Sequence, residues 1–131
     1  MSRRAPSLVS VGETEMEVLR HVWAIGEETG GEANASAVLD RILLDRPLAY
    51  TTVMTVLKNL ETKALITRRR IGRVDHYRAA QAPEAVRQGL LRGFLGHVFD
   101  GSPTALVRTL VGDERITDAE RDELRRLLDQ L

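Results

Sequence analysis

Cysteine is absent from all 131 residues. Disulfides, thiolate metal sites and thiol-based redox sensing are excluded with it. Aromatic residues make up 4% of the chain against 43% hydrophobic, so any folded core must be aliphatic. No stretch approaches the roughly 20 apolar residues of a membrane-spanning helix, and no membrane partner is expected. Residues 1–12 carry Arg3 and Arg4 with no apolar run behind them. They read as a flexible arm, not as a secretory signal, and a cytoplasmic location is expected. Also missing are a glycine-rich phosphate loop, a Gly-x-Ser-x-Gly elbow and a His-Glu-x-x-His pair. Neither an enzyme nor a cofactor is expected. His21, His76 and His97 lie in three separate elements without ligand-like spacing, so no metal site is expected either.

Net charge is zero, with 19 basic and 19 acidic residues, but the charge is segregated. Asp45 to Ala80 carries eight basic residues against three acidic ones, whereas Gln81 to Leu131 carries seven against nine. A basic middle followed by a mildly acidic tail is the distribution to inspect for a polyanionic partner, whatever the sum.

Periodicity divides the chain further. Met16, Leu19, Val22 and Trp23 recur at helical spacing from about Glu13, with Gly26 and the Glu27–Glu32 stretch predicting the end of that helix. A second helix is predicted from about Ser36 to Asp45, capped by Asn34 or Ser36 and stopped by Pro47. Val38, Leu39, Ile42 and Leu43 form its apolar side. A third begins at Thr51 or Thr52 and runs to about Lys63, with Val53, Val56, Leu57 and Leu60 as its buried stripe.

The period then changes. Leu65–Ile71 and Val74–Ala79 read as two strands around Gly72-Arg73, a short hairpin with glycine at its tip. Helical spacing returns after Pro83 up to Gly101, again from Pro103 to Val111, and finally after Thr117. There Glu120 stands three residues on, as in a capping box.

The third helix is the informative element. Opposite its apolar stripe lie Thr51, Thr52, Thr55, Lys58, Asn59 and Thr62. Threonine is a mediocre helix former because its branched side chain loses rotamer freedom, so four of them on one face suggest a surface that must approach something closely. Short hydroxyls and methyls suit a major groove, and Lys58 suits a phosphate. The plainer alternative makes Thr51 or Thr52 a helix cap and the rest neutral surface.

The second helix, the Pro47-Leu48-Ala49-Tyr50 turn and the third helix form a helix-turn-helix unit. The hairpin directly after it carries Arg68, Arg69, Arg70, Arg73, His76 and Arg78. Tyr77 is expected to face inward, with His76 and Arg78 outward. These arginines either grip a phosphate backbone or keep a sheet edge soluble.

Beyond the hairpin, Val86, Leu90, Leu91, Phe94, Leu95, Val98 and Phe99 make a broad apolar face, followed by Leu124, Leu127, Leu128 and Leu131 in the last helix. So much aliphatic surface on so short a segment calls for a partner, and a twofold homodimer is the commonest one. The alternative is that these helices fold back on the rest of a monomer.

Ala49-Tyr50-Thr51-Thr52-Val53-Met54-Thr55-Val56-Leu57 and Asn59-Leu60-Glu61-Thr62-Lys63 closely resemble the recognition-helix signature of the penicillinase repressor (BlaI/MecI) family. Glu15-Met16-Glu17-Val18-Leu19 to Val22-Trp23 resembles that family's opening helix, and His76-Tyr77-Arg78 its second wing strand. The likeness is specific over about residues 8–80 and rests on helix order beyond. It implies a winged-helix domain followed by a helical dimerisation domain, binding operators of dyad symmetry near promoters. In antibiotic-responsive members a membrane sensor protease leads to cleavage in the dimerisation helices at Asn-Phe, where this chain has Thr109-Leu110. Copper-responsive relatives carry a cysteine cluster that is missing here. The inducing signal, and any upstream sensor protease, stay unidentified.

The expected fold is mainly α with a small β-hairpin wing. An arm over 1–12, a winged helix-turn-helix domain over 13–80 and a helical dimerisation domain over 81–131 are expected. The expected function is a homodimeric, sequence-specific repressor binding double-stranded DNA at an operator. DNA-binding candidates are Tyr50, Thr51, Thr52, Thr55, Lys58, Asn59, Arg69, Arg70, Arg73 and His76. Dimerisation candidates are Leu90, Leu91, Phe94, Leu95, Val98, Phe99, Leu124, Leu127 and Leu128. An adaptor using the same scaffold for protein contacts is the alternative.

Overall fold

The computed structural model describes residues 11–130. The expected N-terminal arm lies outside them except for Val11 and Gly12, and Leu131 lies outside as well. The element order is α1 (Glu13–Thr29), α2 (Ala35–Ile42), α3 (Tyr50–Thr62), β1 (Ile66–Ile71), β2 (Val74–Ala79), α4 (Pro83–Phe99), α5 (Pro103–Val111) and α6 (Asp118–Asp129). This is the expected mainly helical chain with one antiparallel hairpin.

Contacts divide it into two compact units, Met1–Gly93 and Phe94–Leu131, so the division falls within α4. Sequence periodicity places the boundary earlier, between 80 and 81. The first half of α4 belongs with the first unit because Val86 and Leu90 are buried in its core. That core joins Val18, Leu19, Val22, Trp23 and Ile25 of α1 to Val38 and Ile42 of α2 and to the whole predicted stripe of α3. Leu43, expected on the same side of α2, is instead half exposed beyond the helix end.

Two local differences from the sequence reading have clear causes. The first helix does not stop at Gly26 but continues for another turn, and Gly30 ends it in the left-handed region at φ 68°. The Gly31 N–H returns to the Gly26 carbonyl at 3.1 Å, the closing bond of a Schellman ending. A Cβ at Gly26 would lie 3.2 Å from the Gly31 carbonyl oxygen, so glycine serves close approach there. Second, α3 starts at Tyr50, with Ala49 in the cap position and no side-chain cap bond. Thr51 and Thr52 are therefore inside the first turn, and neither hydroxyl acts as a cap.

In the hairpin, Gly72 alone of the two turn residues has positive φ (63°), as the first position of a type II′ turn requires. The register pairs Ile66 with Ala79, Arg68 with Tyr77, Arg69 with His76 and Ile71 with Val74. Ala33, between α1 and α2, adds a bridge to Tyr77 on the other side of β2. Backbone bonds of 2.7 and 2.9 Å form it. Tyr77 is buried as expected, and burial pushes its phenol pKa up.

In the second unit Ser102 caps α5 by accepting from the Ala105 N–H at 3.1 Å. Thr117 and Glu120 form the predicted capping box at the start of α6. Phe94 and Phe99 meet edge to face, with ring centres 5.9 Å apart.

Candidate nucleic-acid interface

Two ion pairs tie the ends of α3 to α1. Ahead of the helix, Arg46 donates to Glu17, with Nη2 2.7 Å from Oε1. This bond, with Arg46 as the main cause, holds the Glu17 carboxyl below the usual range. At the far end the Lys63 ammonium lies 2.6 Å from Glu15 Oε1. Burial would raise the Glu15 pKa, but bonds from Lys63, the Gly12 N–H and the Asn59 amide outweigh it and the net shift is downward. Hydrophobic packing thus fixes the inner face of α3, and ion pairs join the residues flanking it to α1.

Its outer face is open. Tyr50, Thr51, Thr52, Thr55, Lys58, Asn59 and Thr62 are all exposed. The Thr55 hydroxyl donates to the Thr51 carbonyl at 3.0 Å, and Thr62 does the same to Lys58. Each such hydroxyl keeps its acceptor lone pairs and its methyl for an outside partner. Asn59 is the exception among the candidates, because its amide is engaged by Glu15.

The wing sorts its arginines by strand parity. Side chains alternate across a strand, and the register puts Arg68 and Arg70 on the face of Asp75 and Tyr77, toward α3. A groove between α3 and the wing is lined by Thr55, Lys58, Glu61, Arg68 and Asp75. A second, beside it, is lined by Asn34, Ser36, Tyr50, Arg70 and Arg73. Arg68 reaches Glu61 at 3.3 Å and Asp75 at 3.5 Å, while Arg70 lies 3.7 Å from Asp75. Lys58 and Arg73 make no ion pair among the described residues, so their charges face the solvent uncompensated by a close carboxylate. Arg69 and His76 stand on the opposite face, where Arg69 meets Glu32.

The structure therefore gathers Tyr50, Thr55, Lys58, Arg70 and Arg73 along one face. Thr51 and Thr52 are exposed in the first turn of the same helix. Arg69 and His76 lie behind the wing, and Asn59 lies toward α1. Arg68, absent from the candidates, belongs to the groove. The signal for it was present, since a two-residue turn at 72–73 forces Arg68 opposite the inward Tyr77.

The model of the family described as penicillinase repressor matches residues 11–130. The chain belongs to the penicillinase repressor family. It is a DNA-binding transcriptional repressor of winged-helix construction, in line with the geometry above. The transcriptional regulator BlaI of Mycobacterium tuberculosis (strain CDC 1551 / Oshkosh) is 34% identical over 125 residues, covering 95% of this chain and 86% of that protein. The methicillin resistance regulatory protein MecI of Mammaliicoccus sciuri is 22% identical over 120 residues, covering 92% and 94%. A solved structure, the transcriptional regulator BldR from Sulfolobus solfataricus, aligns with a TM-score of 0.47 at 16% identity, over 95% of this chain and 78% of that one.

The apolar candidates of this repressor fall into two groups. Leu90 is buried in the first unit's core, whereas Leu91 is half exposed. In the second unit Phe94, Leu95, Phe99 and Leu124 are half-buried. Val98, Leu127 and Leu128 are exposed at 56%, 54% and 57%. No helix among the described residues is long and apolar enough to cross a membrane.

Proposed function

We propose that this repressor binds a dyad-symmetric operator as a cytoplasmic homodimer, acts without catalysis, and places α3 of each subunit in a major groove. The observation that carries the reading is the solvent-open threonine face of α3 beside a hairpin whose inner face presents Arg68 and Arg70, with Arg73 at its turn lining the same groove as Arg70. Hydroxyls and methyls meet base edges and thymine methyls at close range, and guanidinium groups meet phosphates. Lys58 and Arg73 release counterions most directly, because no carboxylate among the described residues pairs with them. Twofold pairing through Phe94, Leu95, Val98, Phe99, Leu124, Leu127 and Leu128 would set two recognition helices against half-sites about one helical turn, roughly 34–36 Å, apart or a multiple of that.

The test is the triple variant Thr51→Ala, Thr52→Ala, Thr55→Ala. Alanine is the better helix former, so the melting temperature should hold or rise. Discrimination between operator and unrelated duplex should collapse, with each lost base contact costing about 1–3 kcal/mol. A triple variant that footprints the same site with unchanged affinity would remove α3 from the groove.

A further inference from the structure

Arg69 differs from the other wing arginines in what it touches. Its Nη2 lies 2.5 Å from Glu32 Oε1 and its Nε lies 3.2 Å from Oε2, a two-pronged match of guanidinium to carboxylate. The Glu32 side chain is only 10% exposed while that of Arg69 is 67% exposed, so the carboxylate is the seated member of the pair. Arg69 holds the Glu32 carboxyl below its usual range, with Arg78 and His76 adding to the effect.

The topology gives this pair a mechanical position. Ala33 bridges Tyr77 on β2, and Glu32 immediately precedes Ala33. Arg69 is on β1, opposite His76. The bond therefore passes over the back of β2 and joins the far strand of the wing to the segment between α1 and α2. A two-stranded hairpin alone is marginally stable. Here its root is held by buried Ile66 and Tyr77, while Arg69, Arg70, Ile71, Gly72, Arg73 and Val74 are exposed.

We propose that Glu32 and Arg69 are positioning residues that strap the wing at its working angle, and that Arg69 does not contact the duplex. This rests on the DNA-binding reading above. It divides the wing into an inner face and tip that meet phosphate, through Arg70 and Arg73, and an outer face that holds the angle.

The sign of one substitution separates this role from direct contact. Removing an acid near bound DNA ordinarily strengthens binding, because a repulsive charge is lost and Arg69 is released. If the pair is a strap, Glu32→Gln weakens binding instead. The full chain is titrated with a duplex that the wild type selects from random-sequence DNA, over a series of salt concentrations. Glu32→Gln and Arg69→Gln should each lose roughly threefold to tenfold in affinity, the scale of a surface pair acting through geometry, with the salt slope unchanged. Arg73→Gln should lower the slope by about one. The charge-swapped double variant Glu32→Arg, Arg69→Glu has the wild-type net charge and should recover binding to within about twofold of wild type, as a restored pair requires. Amide exchange of Arg69 to His76 should quicken in Glu32→Gln and return in the swap.

Tighter binding by Glu32→Gln, a slope reduced by Arg69→Gln as by Arg73→Gln, or a swap as weak as Arg69→Gln would each overturn the strap. If wild type selects no duplex, the DNA-binding reading itself falls and takes this inference with it. If only the strap variants misbehave while Arg73→Gln and the threonine variant act as expected, the inference alone falls.

Discussion

The two units use similar aliphatic residues to opposite ends. In the first, Val18, Leu19, Val38, Ile42, Val53, Leu57, Leu60 and Leu65 have essentially no exposed surface. In the second, no described residue is buried, and α5 and α6 contribute none to any core. Leucine content therefore does not distinguish a closed core from an open surface. What does so is whether neighbouring elements can cover the face from several directions. Three helices, the hairpin and the first half of α4 enclose the first unit's core, whereas the second unit has only the rest of α4 and two short helices. Under the proposed function the first unit reads the duplex and the second joins another copy.

The sharpest way to break this contrast is to charge the open leucines. Leu127→Asp with Leu128→Asp should turn a species of twice 14.6 kDa into a monomer in micromolar sedimentation. Operator affinity should fall roughly a hundredfold or more, because linked binding of two half-sites is lost. The first unit's melting should hardly move. A dimer that survives both aspartates would place the interface elsewhere.

Next in size is Leu57→Ala, which should destabilise the first unit by about 2–5 kcal/mol through lost burial and the cavity left behind. The measurement is chemical denaturation followed by Trp23 fluorescence. Val98→Ala, measured in parallel on the double-aspartate background, should cost well under about 1 kcal/mol, since an exposed side chain loses little burial.

The smallest effect concerns pH. The folded pKa of Glu15 is depressed, so its contribution is complete above the ordinary glutamate range. It is lost as the pH falls through that range toward the lower folded value. Lys63→Met should remove the Lys63 part of that dependence and cost no more than about 1 kcal/mol near neutrality. Stability curves of wild type and variant should converge in acid. Parallel curves down to low pH would show that the pair does not matter to folding.

Much of the winged domain was legible because its signals are local. The spacing of Val53, Val56, Leu57 and Leu60 names a buried stripe whatever covers it, and a two-residue turn at Gly72-Arg73 sets the hairpin register. Thr117 and Glu120 announce a helix start without reference to the rest of the chain. The site was less legible where partners come from far away in sequence. Gly26 reads as a helix stop until Gly31 is seen folding back on it. Asn59 reads as groove-facing until Glu15, on another helix, takes its amide. Arg69 reads like its neighbours until Glu32 is found behind β2.

From the order of residues alone come the helix and strand periods, the hydroxyl-rich face of α3, the guanidinium-rich hairpin and the likeness to a repressor family. These follow from backbone geometry and neighbour spacing, which act over a few residues. The tertiary structure alone decided which carboxylate each wing arginine meets, that Arg69 is bound from behind, and that Leu90 lies in a core while Leu127 stays open. Those outcomes depend on groups brought together from distant positions, and short-range periodicity carries no information about which distant carboxylate a cation will meet.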